Sequence, residues 1–138
     1  MATDIWVHAE YRKGKSKQYS HIAEFDCDRI YGIFALLAGV RLKIPPLFGL
    51  KGLPGDISRI TLEAYKDGKS DFHHMSWLST SELEYCINIG KDILRKECEK
   101  VGEDYNEHCF DSYIEVLGYL QDHERVGEPS RIVFWFDN

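Results

Sequence analysis

Hydrophobic and polar residues alternate strictly at the two ends of the chain. One side of residues 4–12 carries Ile5, Val7, Ala9 and Tyr11, and the other side carries Trp6, His8, Glu10 and Arg12. This period of two is typical of a strand with one buried face. After a basic tip at residues 13–17, a second extended run at residues 18–25 predicts a β-hairpin. Residues 131–137 alternate in the same way and predict a final strand.

Between the two ends, the spacing of the apolar residues changes to that of helices. Apolar positions recur at helical spacing through residues 30–40, which predicts a core-facing helix that ends at Gly39. A second, short helix follows, with Asp56 or Ser58 as its N-terminal cap and Gly68 at its end. Both helices are expected to pack on the sheet through their apolar faces.

The clearest local signal in the chain is a capping box. Ser79 and Glu82 are three residues apart, so each side chain can accept a hydrogen bond from the other residue's backbone N–H. The pattern predicts a long helix that begins at Ser79 and runs to Gly102. A further helical pattern extends from about residue 104 to residue 123, so the two helices are expected to form an αα-hairpin.

The segment between the first two predicted helices has a different composition. Residues 42–55 combine three prolines, and glycines at every third position from Gly49 to Gly55, with four leucines and one isoleucine. Long loops inside compact domains are uncommon and often functional, and this one is too apolar to be left in water. We expect it to pack on the domain or to close over a ligand.

Strands at both ends with helices between them predict an α+β fold. A small antiparallel sheet, built from the N-terminal hairpin and the C-terminal strand, is expected to pack on helices that include the αα-hairpin. The chain has 138 residues and 43% hydrophobic content, which is enough to bury a core without disulfides or metals. A single domain over residues 1–138 is therefore predicted.

The charge balance excludes several classes of partner. Seventeen Lys and Arg residues against 23 Asp and Glu residues give a net charge of −6, which disfavours general nucleic-acid binding and anionic membranes. No apolar run approaches the roughly 20 residues of a membrane-spanning helix, and the first residues lack the pattern of a secretory signal. A cytoplasmic location is expected. The four cysteines contain no C-x-x-C pair, so reduced thiols are expected, with no metal or other cofactor.

Five sequence blocks resemble a family of small uncharacterised phage and prophage proteins. They are DIWVHAEY at residues 4–11, FALLAGVR at residues 34–41, GLPGDIS at residues 52–58, HMSWL at residues 74–78 and RIVFWFDN at residues 131–138. Where the family tends to carry His-Ser-x-Ser followed by an aromatic residue, this chain has His73-His74-Met75-Ser76-Trp77. The resemblance implies phage growth inside a host cell, and hence the host cytoplasm, rather than a mechanism.

Candidate binding residues concentrate on the outer faces of the predicted terminal strands and in two loops, which are residues 42–55 and the pause between helices at residues 71–77. If these strands pair, large aromatic side chains lie beside arginines, a combination that suits the bases and phosphates of nucleotides. The predicted ligand-binding residues are Trp6, His8, Tyr31, Arg41, His74, Ser76, Trp77, Arg131 and Trp135. The alternative is structural, in which loop 42–55 or a second subunit covers the aromatic face.

The leading functional hypothesis is a phage counter-defence protein that sequesters a nucleotide-type immune signal, such as a cyclic oligonucleotide, without cleaving it. A homo-oligomer is expected. The alternative is a phage inhibitor that binds a host protein directly through an apolar or acidic surface. A third hypothesis, a metal-assisted hydrolase, would use His73, His74 and Asp71, although adjacent residues of an extended chain seldom point at one metal.

Overall fold

The computed structural model describes residues 2–68 and 71–137. Its elements in chain order are β1 (Asp4–Tyr11), β2 (Ser20–Phe25), α1 (Tyr31–Ala38), α2 (Arg59–Lys66), β3 (His73–Ser79), α3 (Thr80–Val101), α4 (Asp111–Arg125) and β4 (Ser130–Asp137). The four strands form one antiparallel sheet in the order β2-β1-β4-β3. The predicted α+β fold, with the N-terminal hairpin and the C-terminal strand in an antiparallel sheet, is therefore confirmed.

The two terminal strands are neighbours in the middle of this sheet. β1 and β4 pair along their whole length, so that Trp6 lies opposite Trp135 and Glu10 lies opposite Arg131. Directly opposed side chains on one face of a sheet contact each other. The pairing therefore brings aromatic and charged side chains from the two ends of the sequence into contact.

The strand β3 is absent from the sequence prediction, which treats this segment as a pause between helices. β3 pairs with β4, but a bulge interrupts the register between His73 and Ser76, and His74 has a positive φ of 55°. The bulge breaks the alternation that marks a strand. The buried positions beyond it are a serine, Ser76, and Leu78, so the apolar pattern of this short strand is also weak.

The helix α4 begins later than the pattern predicts, at Asp111 instead of about residue 104. The backbone N–H of His108 donates a hydrogen bond to the side chain of Asn106, and the N–H of Cys109 donates to the Asn106 carbonyl. Such local side-chain bonds compete with helical hydrogen bonds. The capping box at Ser79, in contrast, forms as predicted, with both of its hydrogen bonds present.

The sheet is covered on both faces. Helices α1, α3 and α4 bury one face in the main core, which includes Val7, Ile132 and Phe134. A smaller cluster on the opposite face is centred on Trp135 and is covered by α2 and flanking aromatic residues. The cover predicted for this face is loop 42–55 or a second subunit. The structure instead uses mainly the segment that follows the loop, which packs the rings of Tyr65 and Phe72 against Trp135.

Loop 42–55 packs on the domain only in part. Its backbone is attached at two points, where Leu47 N–H donates to the carbonyl of Leu36 and Lys51 N–H donates to the hydroxyl of Ser76. Four apolar side chains of the loop stay exposed, those of Leu42, Ile44, Leu47 and Leu50, and Leu50 keeps 49% of its surface in solvent. The prediction that the loop packs on the domain is therefore met by only part of its apolar side chains.

Candidate functional site: a groove between Tyr19 and Trp77

A groove of about 550 Å³ lies on the α2 side of the sheet, near the hairpin end. Its lining residues are Tyr19, Lys51, Leu53, Pro54, Gly55, Asp56, Trp77 and Arg131. Three segments that are distant in sequence meet here: the second arm of the hairpin, the end of loop 42–55, and the paired strands β3 and β4. The groove therefore exists only in the folded chain.

Two cation–aromatic pairs form the walls of the groove. The Nζ atom of Lys51 lies 3.9 Å from the centroid of the Trp77 ring. The Cζ atom of Arg131 lies 3.5 Å from the centroid of the Tyr19 ring and 5.6 Å from that of Trp77. Such contacts are electrostatically favourable, and they hold both rings and both cations at one place.

The arginine of this groove is part of a buried ion network. Its Nε and Nη2 atoms donate to Oε1 of Glu10 at 2.9 and 2.8 Å, and Nη1 donates to Oδ1 of Asp56 at 2.8 Å. The second oxygen of Glu10 accepts from the backbone N–H of Ser58, the N-cap of α2, at 2.9 Å. Side chains of Arg131 and Glu10 are 4% and 0% exposed. The network therefore fastens the start of α2 to the middle of the sheet.

The lysine of the groove is held by two elements. Its backbone N–H donates to the hydroxyl of Ser76, and its ammonium group donates to Glu82. Burial would raise the pKa of Glu82, but the hydrogen bonds from Lys51 and from the backbone of Ser79 outweigh it and lower that pKa. The ionised carboxylate of Glu82 thus accepts one hydrogen bond in the capping box of α3 and another from the lysine of the groove.

A group of cations adjoins the groove at the tip of the β1–β2 hairpin. The Cζ atom of Arg12 lies 5.8 Å from the centroid of the Tyr19 ring. Lys13, Lys15 and Lys17 follow on the exposed tip, and within residues 2–68 and 71–137 none of them forms an ion pair. In a protein of net charge −6, this is a local concentration of positive charge that would attract an anion.

Three of the predicted binding residues belong to this groove. Trp77 and Arg131 line it, and the buried hydroxyl of Ser76 lies behind it, where it fixes Lys51. The other six lie elsewhere in the fold. Sequence reasoning does not identify Tyr19 and Lys51 as site residues, because neither belongs to a motif and both reach the groove only through tertiary contacts.

Two of the remaining predicted residues are buried beneath α2. His8 stacks on Trp135 with 5.1 Å between ring centroids, and the two residues are 2% and 1% exposed. Burial, followed by the neighbouring His21, lowers the pKa of His8 to about 4. Among the described residues, Nε2 of His8 and Nε1 of Trp135 have no hydrogen-bond partner. In this arrangement both rings serve as core for the second face of the sheet.

Trp6, Tyr31, Arg41 and His74 lie outside the groove. Trp6 is at the far end of the sheet, where its Nε1–H donates to Asp137 at 2.8 Å. The guanidinium of Arg41 lies 4.9 Å from the Tyr31 ring and donates to Thr3, which ties the end of α1 to the start of the chain. His74 is exposed on the bulge of β3. The nine predicted residues are therefore spread over at least four places.

The hydrolase hypothesis receives no geometric support. Within the part of the chain that the structure describes, no three His, Cys, Asp or Glu side chains come together as metal ligands. His73 and His74 contact each other, with 2.6 Å between their Nδ1 atoms. Burial raises the pKa of both the Cys27 and the Cys86 thiols to about 12, so neither is an activated nucleophile.

None of the described helices is long and apolar enough to span a membrane. Comparison with known protein families, with curated proteins and with solved structures finds no match for this chain.

Proposed function

We propose that the groove between Tyr19 and Trp77 captures an aromatic anion of the nucleotide type, and that the protein releases this ligand unchanged. The observation that carries the proposal is the pair of cation–aromatic contacts in one groove, Lys51 on Trp77 and Arg131 on Tyr19. Aromatic rings stack on any base, and each stacked base contributes about 1–3 kcal/mol. Cations beside the rings suit the phosphates.

The charges of the groove decide how the ligand would be held. Arg131 is already paired with Glu10 and Asp56, so its charge is largely neutralised within the fold. The phosphate is then attracted by Lys51 and by the lysines of the hairpin tip. To bind it, Lys51 replaces part of its contact with Glu82 by a contact with the phosphate. Because the tip lysines are exposed to solvent, their contribution is screened by salt, and the affinity should fall as ionic strength rises.

The setting of this capture is part of the same proposal and draws on the sequence alone. The five blocks that resemble phage and prophage proteins support a role during phage growth, in which the protein sequesters a nucleotide-type signal of the host's defence. A cyclic di- or trinucleotide offers both bases to stack and phosphates to pair. Cleavage forms no part of the proposal.

A thermal-shift panel of cyclic di- and trinucleotides, linear nucleotides and ADP-ribose derivatives tests the proposal. A ligand that binds only the folded state raises the melting temperature, and heating the sample should return that ligand intact. Trp77→Ala should weaken the binding of a positive ligand by about fivefold to a hundredfold, the loss of one stacked base. Tyr119→Ala, on the opposite side of the molecule, is the matched control for an exposed aromatic ring.

The contribution of Lys51 to ligand binding is tested separately. Lys51→Ala should weaken binding, and Lys96→Ala is its control. Lys96 forms only a surface ion pair with Asp92 on α3, so its loss should leave binding unchanged. A panel with no stabilising ligand would overturn the capture proposal and return the search to host proteins. A ligand recovered in altered form would make the protein an enzyme.

A further inference from the structure

A second surface, on the helical side of the sheet, contains a groove that, within residues 2–68 and 71–137, shares no lining residue with the one described above. It is formed by loop 42–50 and by α3, and the exposed apolar side chains on it are Leu42, Ile44, Leu47, Leu50, Tyr85 and Ile93. Their exposed fractions lie between 38% and 51%. Leu42, Ile44 and Ile93 line one groove, and an apolar surface of this kind that the described chain leaves uncovered indicates an interface.

This surface, which we call the α3–loop face, also contains a concave part. A groove of about 340 Å³ runs between α1 and α3. Its buried floor includes Ile33 and Phe110, and its rim includes Leu42 and Ile93. Apart from Glu97, every residue that lines it is apolar or glycine. The face therefore combines a hollow with the projecting apolar side chains of the adjoining loop.

A glycine of the groove has no explanation in the packing of the chain. Gly32 lies in the first turn of α1, and a Cβ added there would meet no atom within 4 Å. Glycine is a poorer helix former than alanine, so an internal contact or close approach would be its usual reason. Gly90, on the other wall, has such a reason, because its Cβ would lie 3.3 Å from the Phe110 ring. The space at Gly32 is left open to the groove.

The charges on the α3–loop face are self-complementary. Glu97 lines the groove, and Lys43 lies on the loop between two apolar residues of its rim. Within the described residues neither side chain forms an ion pair. A two-fold interface pairs the same surface with itself, so it needs a hollow beside a projection and opposite charges on one face. The α3–loop face has both.

We propose that the α3–loop face binds a second copy of this chain in a two-fold dimer, in which the loop of each copy packs into the groove of the other. Lys43 of one copy then meets Glu97 of its partner, twice across the axis. The proposal gives a surface to the homo-oligomer expected from the sequence. Because no residue that the structure describes lines both the groove of this face and the Tyr19–Trp77 groove, the dimer does not depend on the proposed ligand.

Sedimentation equilibrium of the purified chain and its charge variants tests the dimer. Lys43→Glu and Glu97→Lys should each raise the dissociation constant, by about tenfold for one like-charge contact on each side of the axis. The combined variant should bring the constant back toward that of the natural chain. Its net charge is the same as that of the natural chain, so a global charge effect cannot explain such a rescue.

A matched pair of isoleucines separates packing from general hydrophobicity. Ile93 is 42% exposed on the proposed interface, whereas Ile114 is 36% exposed on α4, outside it. Ile93→Gln should weaken the dimer by about tenfold or more, and Ile114→Gln should not change it. Circular dichroism confirms that each variant is folded.

Three outcomes would overturn the dimer. They are a chain that stays monomeric at about 0.1 mM, a dimer that neither charge reversal weakens, and a combined variant no tighter than the single reversals. A chain that stays monomeric and binds a host protein through this face would also overturn the dimer. Ligand binding to the Tyr19–Trp77 groove should be the same in Ile93→Gln as in the natural chain, so failure of one proposal leaves the other standing.

Discussion

Replacing Arg131 by methionine tests the role of the buried ion network in holding the second face of the sheet. The change removes every hydrogen bond from the guanidinium to Glu10 and Asp56. Glu10, which is fully buried, then keeps only the backbone N–H of Ser58 as a partner. An uncompensated buried charge of this kind costs about 3–5 kcal/mol. That is a large part of the roughly 5–15 kcal/mol that stabilises a typical domain.

Urea denaturation followed by far-UV circular dichroism measures this loss directly. Arg59→Met is the matched control, because its ion pair with Glu63 is on the surface and its side chain is 87% exposed. It should cost less than about 1 kcal/mol. The double variant with Glu10→Gln should recover part of the loss, since both charges are then gone. If Arg131→Met costs no more than Arg59→Met, the network does not carry the stability assigned to it.

Three further predictions concern local features of the fold. The pKa of His8 is about 4 in the folded chain and ordinarily 6.5, so on acidification the unfolded chain takes up the proton first. The free energy of unfolding should therefore fall, by at most about 3 kcal/mol, as the pH drops from 6.5 to 4. His8→Phe should reduce the slope of that part of a stability profile measured by denaturation at several pH values, while His21, whose pKa burial also lowers, keeps the rest. Gly39→Ala should destabilise more than Gly102→Ala in thermal unfolding. Both glycines have φ near 70°, but only at Gly39 would a Cβ crowd Pro46, at 3.2 Å. Ser79→Ala should lower the free energy of unfolding by about 1 kcal/mol in urea, because it removes the capping box of α3.

The proposed function rests on a contrast between the whole protein and one of its ends. The chain carries a net charge of −6, yet the tip of the β1–β2 hairpin and the adjoining groove gather several cations around two aromatic rings. An anion steered to this end meets Tyr19 and Trp77 directly. On the helical side of the sheet, the groove between α1 and α3 has the reverse character, because Glu97 is the one charged residue among the described residues that line it.

Local rules account for what the sequence predicts correctly. The alternation of residues 4–12 and 131–137 identifies two strands because a sheet residue has only two faces to choose between. Ser79 and Glu82 predict the start of α3 because a capping box closes within one turn and needs no distant partner. Gly39 predicts the end of α1 for the same reason, since its left-handed φ of 72° is a local requirement.

Local rules fail where the decisive contact is distant or where a bulge hides the pattern. β3 is missed because its bulge at His74 breaks the alternation, and it becomes a strand by pairing with β4. Trp135 has the same sequence signature as an exposed binding residue, yet it is 1% exposed because Tyr65 and Phe72 pack over it. The alternation of residues in a strand shows which side chains share one face of the sheet, but it does not show which other part of the chain covers that face.

The sequence by itself determined the class of the fold, most of its elements and the concentration of aromatic and cationic residues in the terminal strands. Only the tertiary structure decided which of these residues act together. It joined Trp77 and Arg131 with Tyr19 and Lys51, and it buried His8 and Trp135 in the cover of the sheet. The physical reason is that hydrogen bonding between β1 and β4 fixes contacts across 121 positions, from Glu10 to Arg131, which no local pattern encodes.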